Sequence, residues 1–199
     1  MIIHEVEQKT DEWRKLRAGK FTASNFDKLF MGKSTKGYQD LINTVVYERL
    51  TEDIPETYTS EWMQRGNDLE GEALQRYELE TFSKISRVGF VEFDEWVGCS
   101  PDAFVGEEGL TQAKCPKYNT HIYYLLSPQK AIEEYKYQLQ GEIFVCERKW
   151  NDLICYHPKL SPLIQRVERD EQIIFGIKKE LTIAIELVKE RIKHIKGAL

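Results

Sequence analysis

The chain has 199 residues, 41% hydrophobic and 31% charged, which suits a single domain (1–199) with a full core and excludes a disordered chain. A net charge of −5 argues against coating nucleic acid by bulk attraction, though not against an enzyme that grips DNA locally and carries carboxylates for a metal. No stretch approaches the roughly 18 apolar residues of a membrane span, the opening MIIHEVEQKTDEW lacks the pattern of an export signal, and Cys99, Cys115, Cys146 and Cys155 form no CxxC pair, so they read as free thiols in a reducing cytoplasm.

Thr10 can cap a short helix carrying Trp13, Leu16 and Arg17, which Gly19 ends. Thr22 or Ser24 can cap a second helix through Phe26 and Leu29, and MGKSTKG (31–37) reads as a loop. Apolar spacing predicts a helix over 38–50, then a loop, then a longer helix from Ser60 to about Thr81 that buries Trp62, Leu69, Ala73, Leu74 and Tyr77. From Ile85 the texture changes: RVGFVEF, WVGCSPDAFV and GLTQAKC are short β-rich stretches divided by turn residues or charges. Helical spacing returns in THIYYLL and from Gln129 to Val145, DLICYH reads as a strand, and a helix from about Asp170 to Lys196 closes the chain. This order predicts an α/β (α+β) domain with a mixed central sheet flanked by helices.

Four features in the middle of the chain carry chemistry. Glu70 lies within the long helix, Asp102 follows Ser100-Pro101 at a strand end, Gln112 and Lys114 are two apart on the next strand, and Tyr135, Gln138 and Gln140 form a YxxQxQ pattern on a later helix. In a strand, residues i and i+2 face the same side, so Gln112 and Lys114 reach one site, and Asp102 can join them from the neighbouring strand. A hard divalent ion takes oxygen ligands, keeps several waters and needs only two or three protein carboxylates. Each residue alone has a plainer reading: Glu70 as a solvated helix carboxylate, Asp102 as a turn residue. Lys114, between Ala113 and Cys115, is harder to dismiss, because a lysine on a buried strand wants a partner.

SPD, nine residues, then QxK and CP resembles the PD-(D/E)xK nuclease signature. With LRAGKFTAS, RGNDLEGEA, GCSPDAF, AKCPKYNTHIYYLL and EYKYQLQGEIFV, the chain from about Trp13 to His157 resembles the lambda-type phage exonuclease, or YqaJ-like viral recombinase, branch of that superfamily. The resemblance implies a restriction-endonuclease-like core and a magnesium-dependent 5′→3′ exonuclease, with manganese left open as a substitute. It implies metal ligation by Glu70, Asp102 and position 112, catalysis by Lys114, and a water-positioning role for Gln138. Arg17, Ser24 and Ser100 match positions that grip the 5′-phosphate of a DNA end. His121 falls near another such position, with a plain surface histidine as the alternative. Glu92 or Asp94 would add a further acidic group. The resemblance also implies a trimeric ring around double-stranded DNA ends, working beside a phage single-strand annealing protein in the cytoplasm of a bacterial host.

The chain departs from this pattern at Gln112, where the family has glutamate. An amide oxygen can touch a metal but lacks the negative charge that secures a divalent cation. The expectation is weakened metal binding and low turnover. Such a near-isosteric change is what an experimenter makes to trap uncut DNA, and a natural inactive relative is the alternative. Two rival functions stay open: an endonuclease on the same fold, restriction or junction-resolving, and a non-catalytic DNA-end binder for which Gln112 is native. An iron–sulfur nuclease is a minor option that the scattered cysteines do not favour. Tyr123, Tyr124 and Leu125 read as packing residues, and Trp62 and Met63 as core residues that could otherwise wedge a DNA end. The basic last turns suit a helix C-terminus rather than a DNA patch.

Overall fold

Thr10 starts the first helix: its hydroxyl accepts a hydrogen bond from the Trp13 N–H, and Asp11 and Glu12 sit where the helix dipole favours negative charge. This helix, α1 (Asp11–Arg17), follows strand β1 (Ile2–His4) and stops before Gly19, whose φ of +70° a side chain would resist. The computed structural model describes residues 1–55 and 61–198, without the side chains of residues 62 and 63. The expected helix start at Ser60 and the reading of Trp62 and Met63 therefore lie outside the described residues.

The segment from Thr22 is not the capped helix expected. Phe21–Thr22 form a short strand, β2, one 3-10 turn covers Ala23–Asn25, and only Phe26–Leu29 is α-helical (α2). The Thr22 hydroxyl does not cap because it meets Arg17, Ser24 and Asn25 instead. Helix α3 (Lys36–Thr51) begins two residues before its apolar spacing, since Thr35 caps it and accepts from the Tyr38 N–H. Helix α4 (Glu61–Thr81) follows.

The β-rich middle forms β3 (Ile85–Arg87), β4 (Phe90–Glu92), β5 (Val97–Cys99), β6 (Ala103–Val105) and β7 (Gly109–Lys114). Helices α5 (Tyr118–Leu126) and α6 (Pro128–Val145), strands β8 (Trp150–Cys155) and β9 (Leu163–Glu168), and helix α7 (Glu171–Gly197) complete the chain. The strands form two mixed sheets, the second of them flanked by helices on both faces as the chain order predicts. The first has order β1-β4-β5-β2, with β2 parallel to β5. The second has order β3-β6-β7-β8-β9, with only the β7–β8 pair parallel. The chain changes sheets across Ser100-Pro101-Asp102, where proline has no N–H to continue a ladder.

Period-2 alternation sorts the faces of the second sheet. Ala113 and Ile154 pack with Ala73, Leu74 and Tyr77 of α4, while Leu153 and Cys155 pack with Tyr124 of α5 and Ala131 and Leu139 of α6. Leu110, Gln112 and Lys114 share the α6 side. The largest core cluster joins the first sheet to α2, α3, α6 and α7, with α7 contributing Ile174, Ile177, Leu181, Ala184 and Val188 at helical spacing. Among the described residues no helix is long and apolar enough to cross a membrane.

Candidate active site

The site grows from the sheet change at Ser100-Pro101-Asp102. Asp102 is buried, and its Oδ2 accepts two hydrogen bonds of 2.7 Å, from the Ala113 backbone N–H and from Gln112 Nε2. Burial, then the charge of Glu70, pushes the Asp102 carboxyl up to about 6, against the opposing pull of the Ala113 N–H, Lys114 and Lys9. Gln112 is itself buried; its Nε2 also lies 3.4 Å from the Ala113 carbonyl, and its Oε1 has no hydrogen-bond partner among the described residues. The amide nitrogen thus sits between a carboxylate oxygen and a carbonyl oxygen, two acceptors suited to a hard cation.

On the same face of β7, Lys114 Nζ donates to Gln138 Oε1 at 2.9 Å and lies 4.9 Å from the Tyr135 ring centre. Gln138 Nε2 donates to Glu142 Oε1 at 2.8 Å, and Glu142 Oε2 accepts from Asn151 Nδ2 at 2.8 Å. Glu142 is almost fully buried, and burial pushes its carboxyl up to about 8 despite the hydrogen bonds and the Lys114 charge that oppose the shift. Gln140, the other glutamine of the pattern, points elsewhere: it bonds the Glu168 carbonyl and the Asp170 N–H and so ties β9 to α7.

Glu70 approaches from α4, on the other side of the sheet. Both its oxygens are engaged, one by Lys9 at 2.9 Å and the other by Arg87 at 3.2 Å. These residues and Asp102 line a cavity of about 740 Å³ whose other wall is the segment from Ile3 to Gln8. Lys9 has a φ of +73°, a left-handed turn that leads directly into the Thr10 cap. Among the described residues no three His, Cys, Asp or Glu side chains are grouped as ligands for one metal, and position 112 brings an amide.

A second polar group lies two residues before Asp102. Arg17 Nη1 donates to Ser100 Oγ at 3.1 Å, and Trp13 Nε1 donates to the same oxygen at 2.9 Å. Arg17 Nη2 reaches Thr22 Oγ1 at 3.3 Å, which in turn lies 3.3 Å from Ser24 Oγ. Desolvation lowers the Arg17 pKa to about 10, against the opposing charge of Glu48. Arg17, Ser24 and Ser100 are therefore brought together. His121 is not joined to them by any hydrogen bond among the described residues, nor is it on the surface. It is fully buried on α5, its Nε2 2.8 Å from the Ser161 carbonyl and its ring 6.0 Å from that of His157.

Glu92 and Asp94 have other work. Glu92 pairs with His4 and Lys20, and Asp94 accepts from the Trp96 and Val97 N–H groups in the turn between β4 and β5. Tyr124 is buried, whereas Tyr123 is half exposed, contrary to a packing role for both. All four cysteines are free thiols, with Cys99 and Cys146 Sγ 3.4 Å apart in the core. Sequence reasoning missed Lys9, Thr22, Arg87, Glu142 and Asn151. Of these only Glu142 left a signal, as the one charge inside the apolar run LQGEIFV and four residues beyond Gln138.

Residues 12–149 match the YqaJ-like viral recombinase domain. No curated protein matches the chain. An alkaline exonuclease from Laribacter hongkongensis, LHK-Exo, is 30% identical over 95% of this chain and 97% of its own, with a TM-score of 0.87. Its complex with dAMP matches at the same identity and coverage with a TM-score of 0.88. A phage-related exonuclease from Haemophilus somnus 129PT, 15% identical over 92% of this chain and 99% of its own, has a TM-score of 0.73 and shares the fold. The fold is thus the PD-(D/E)xK type, and the chain belongs to the YqaJ-like viral recombinase domain family.

Proposed function

We propose that the chain is a metal-dependent exonuclease that degrades one strand of duplex DNA 5′→3′ and leaves 3′ single-stranded tails. The observation that carries this reading is the arrangement at β7: Asp102 and the Gln112 amide in direct contact, with the Lys114 ammonium on the same face and a basic, hydroxyl-lined pocket beginning at Ser100. Kinship with an alkaline exonuclease over nearly the whole of both chains supports it.

The residues present fit magnesium, which binds through one or two carboxylates and waters. Asp102 and the unpartnered Gln112 Oε1 would hold it, with Glu70 adding negative charge from α4; manganese suits the same oxygens. The chemistry a bound ion supplies is polarisation of the scissile phosphate and a lower pKa for the attacking water. Lys114, held by Gln138, offers its ammonium to the charge that develops on the phosphate oxygens. Gln138 has its amide sense fixed by Glu142 and can orient the water. Arg17, Ser24 and Ser100, with Thr22 between them, hold the 5′-phosphate and place the first phosphodiester at Asp102. Gln112 lowers the hold on the cation relative to a glutamate at that position. A ring-shaped trimer around the DNA end and an annealing protein as partner complete the reading.

Linear duplex and covalently closed circular DNA, each incubated with the protein and magnesium, test the reading. Loss of the linear form with intact circles is expected. Nicked circles would identify an endonuclease, and binding to ends without any cleavage, even by Gln112→Glu, would identify a non-catalytic end binder.

A further inference from the structure

The strand position that should bring a carboxylate to this site brings none, yet a buried carboxyl lies one helix away. Leu110, Gln112 and Lys114 follow one another along the α6 face of β7, and Asn151 of β8 is the register partner of Leu110. Helix α6 runs past them with Gln138 bonded to Lys114 and Glu142 bonded to Asn151. Gln112 therefore lies between the two points at which α6 touches the strands. Glu142 is joined to Lys114 through Gln138, and the charges of Lys114 and Asp102 both act on its carboxyl.

Among the described residues the acid at 142 meets hydrogen-bond donors but no counter-ion. Its contacts are two amide N–H groups, from Gln138 and Asn151, and among the described residues no cation forms an ion pair with it. A buried carboxyl without a paired cation is costly. A glutamine would fit the same cavity once the Asn151 amide turns over, so that its Oδ1, buried without a hydrogen-bond partner among the described residues, accepts from the new amide. A carboxyl kept under these conditions makes sense where its charge acts on something that arrives.

We propose that Glu142 supplies from α6 the negative charge that Gln112 withholds on β7, so that Asp102, Glu70 and Glu142 together secure a divalent cation. Glu142 acts as a positioning residue: it does not touch the ion but sets the electrostatic potential at Asp102 and fixes Gln138 through its amide. The inference rests on the nuclease reading above.

Manganese alone is the probe, titrated against the full-length protein at pH 8.5 with free ion followed by electron paramagnetic resonance. Glu142→Gln should weaken binding about tenfold or more, the range seen when outer-shell partners of a metal site are removed. Adding Gln112→Glu to that variant should return the affinity to within about threefold of the parent, since a charge on the strand makes the one on the helix dispensable. Glu142→Met serves the same purpose if the glutamine variant does not give a native circular dichroism spectrum. Unchanged affinity in the single variant, or no rescue in the double, overturns the proposal and leaves the nuclease reading standing. No manganese bound by the parent or by Gln112→Glu would instead sink the cation site itself, and this inference with it.

Discussion

The buried Glu142 makes a stability prediction that needs no substrate. Its carboxyl rises from 4.5 to about 8 in the folded protein, with burial as the main cause. The folded state thus holds this proton more tightly than the unfolded chain does. The resulting stability is fully present below about pH 4.5 and is lost as pH rises to about 8, beyond which it stays constant. A shift of this size corresponds to about 5 kcal/mol as an upper bound, a large fraction of the stability of a typical domain. Glu142→Gln removes the titration, and the Asn151 amide, turned over, offers its unpartnered Oδ1 to the new amide. Other groups, Asp102 at about 6 among them, titrate in both proteins, so the difference between parent and variant reports position 142 together with its charge coupling to Asp102 and Lys114. Guanidinium unfolding at pH 4.5 and pH 9 should show the variant gaining on the parent by several kcal/mol at the higher pH. An equal difference at both values would mean that Glu142 is not held protonated in the fold, and the burial argument would fail.

Further predictions concern the two cationic arms of the site. Lys9→Met should free one oxygen of Glu70 and tighten manganese binding about two- to fivefold, as a half-exposed ion pair of modest strength allows; weaker binding would show that Lys9 holds Glu70 in place for the ion. Arg17→Gln should abolish any preference for 5′-phosphorylated over 5′-hydroxyl duplex ends, at about 1–3 kcal/mol for a charge-assisted hydrogen bond. A preference that survives in initial rates of digestion would move the phosphate pocket elsewhere.

What could be read from the chain and what could not divide along physical lines. The i, i+2 spacing of Gln112 and Lys114 places them on one face because strand geometry leaves no choice, and Thr10 and Asp170 cap their helices through local hydrogen bonds. Asp102 meets Gln112 through the β6–β7 pairing that the short intervening turn enforces. The two-sheet architecture was not legible. β1 and β2 have three and two residues, too short for any periodicity, and β9 carries LIQRVE, whose alternation is broken by Ile164 beside Leu163. Lys9 and Arg87 reach Glu70 from 61 and 17 residues away in sequence, through contacts that only the tertiary fold creates. The burial of His121 was not legible, because a histidine flanked by polar and apolar residues on a helix gives no sign of which side faces the core; here it is inward, against Ser161.

In the proposed function a cation held at Asp102 drives hydrolysis at DNA ends. The release of mononucleotides from a 5′-phosphorylated linear duplex, with magnesium and with chelator, by the parent protein, Gln112→Glu and Asp102→Asn tests it most directly. Release should require magnesium, rise in Gln112→Glu, and vanish in Asp102→Asn while duplex binding remains. Release that persists in Asp102→Asn, or that proceeds in chelator, would mean that no cation at Asp102 drives the reaction.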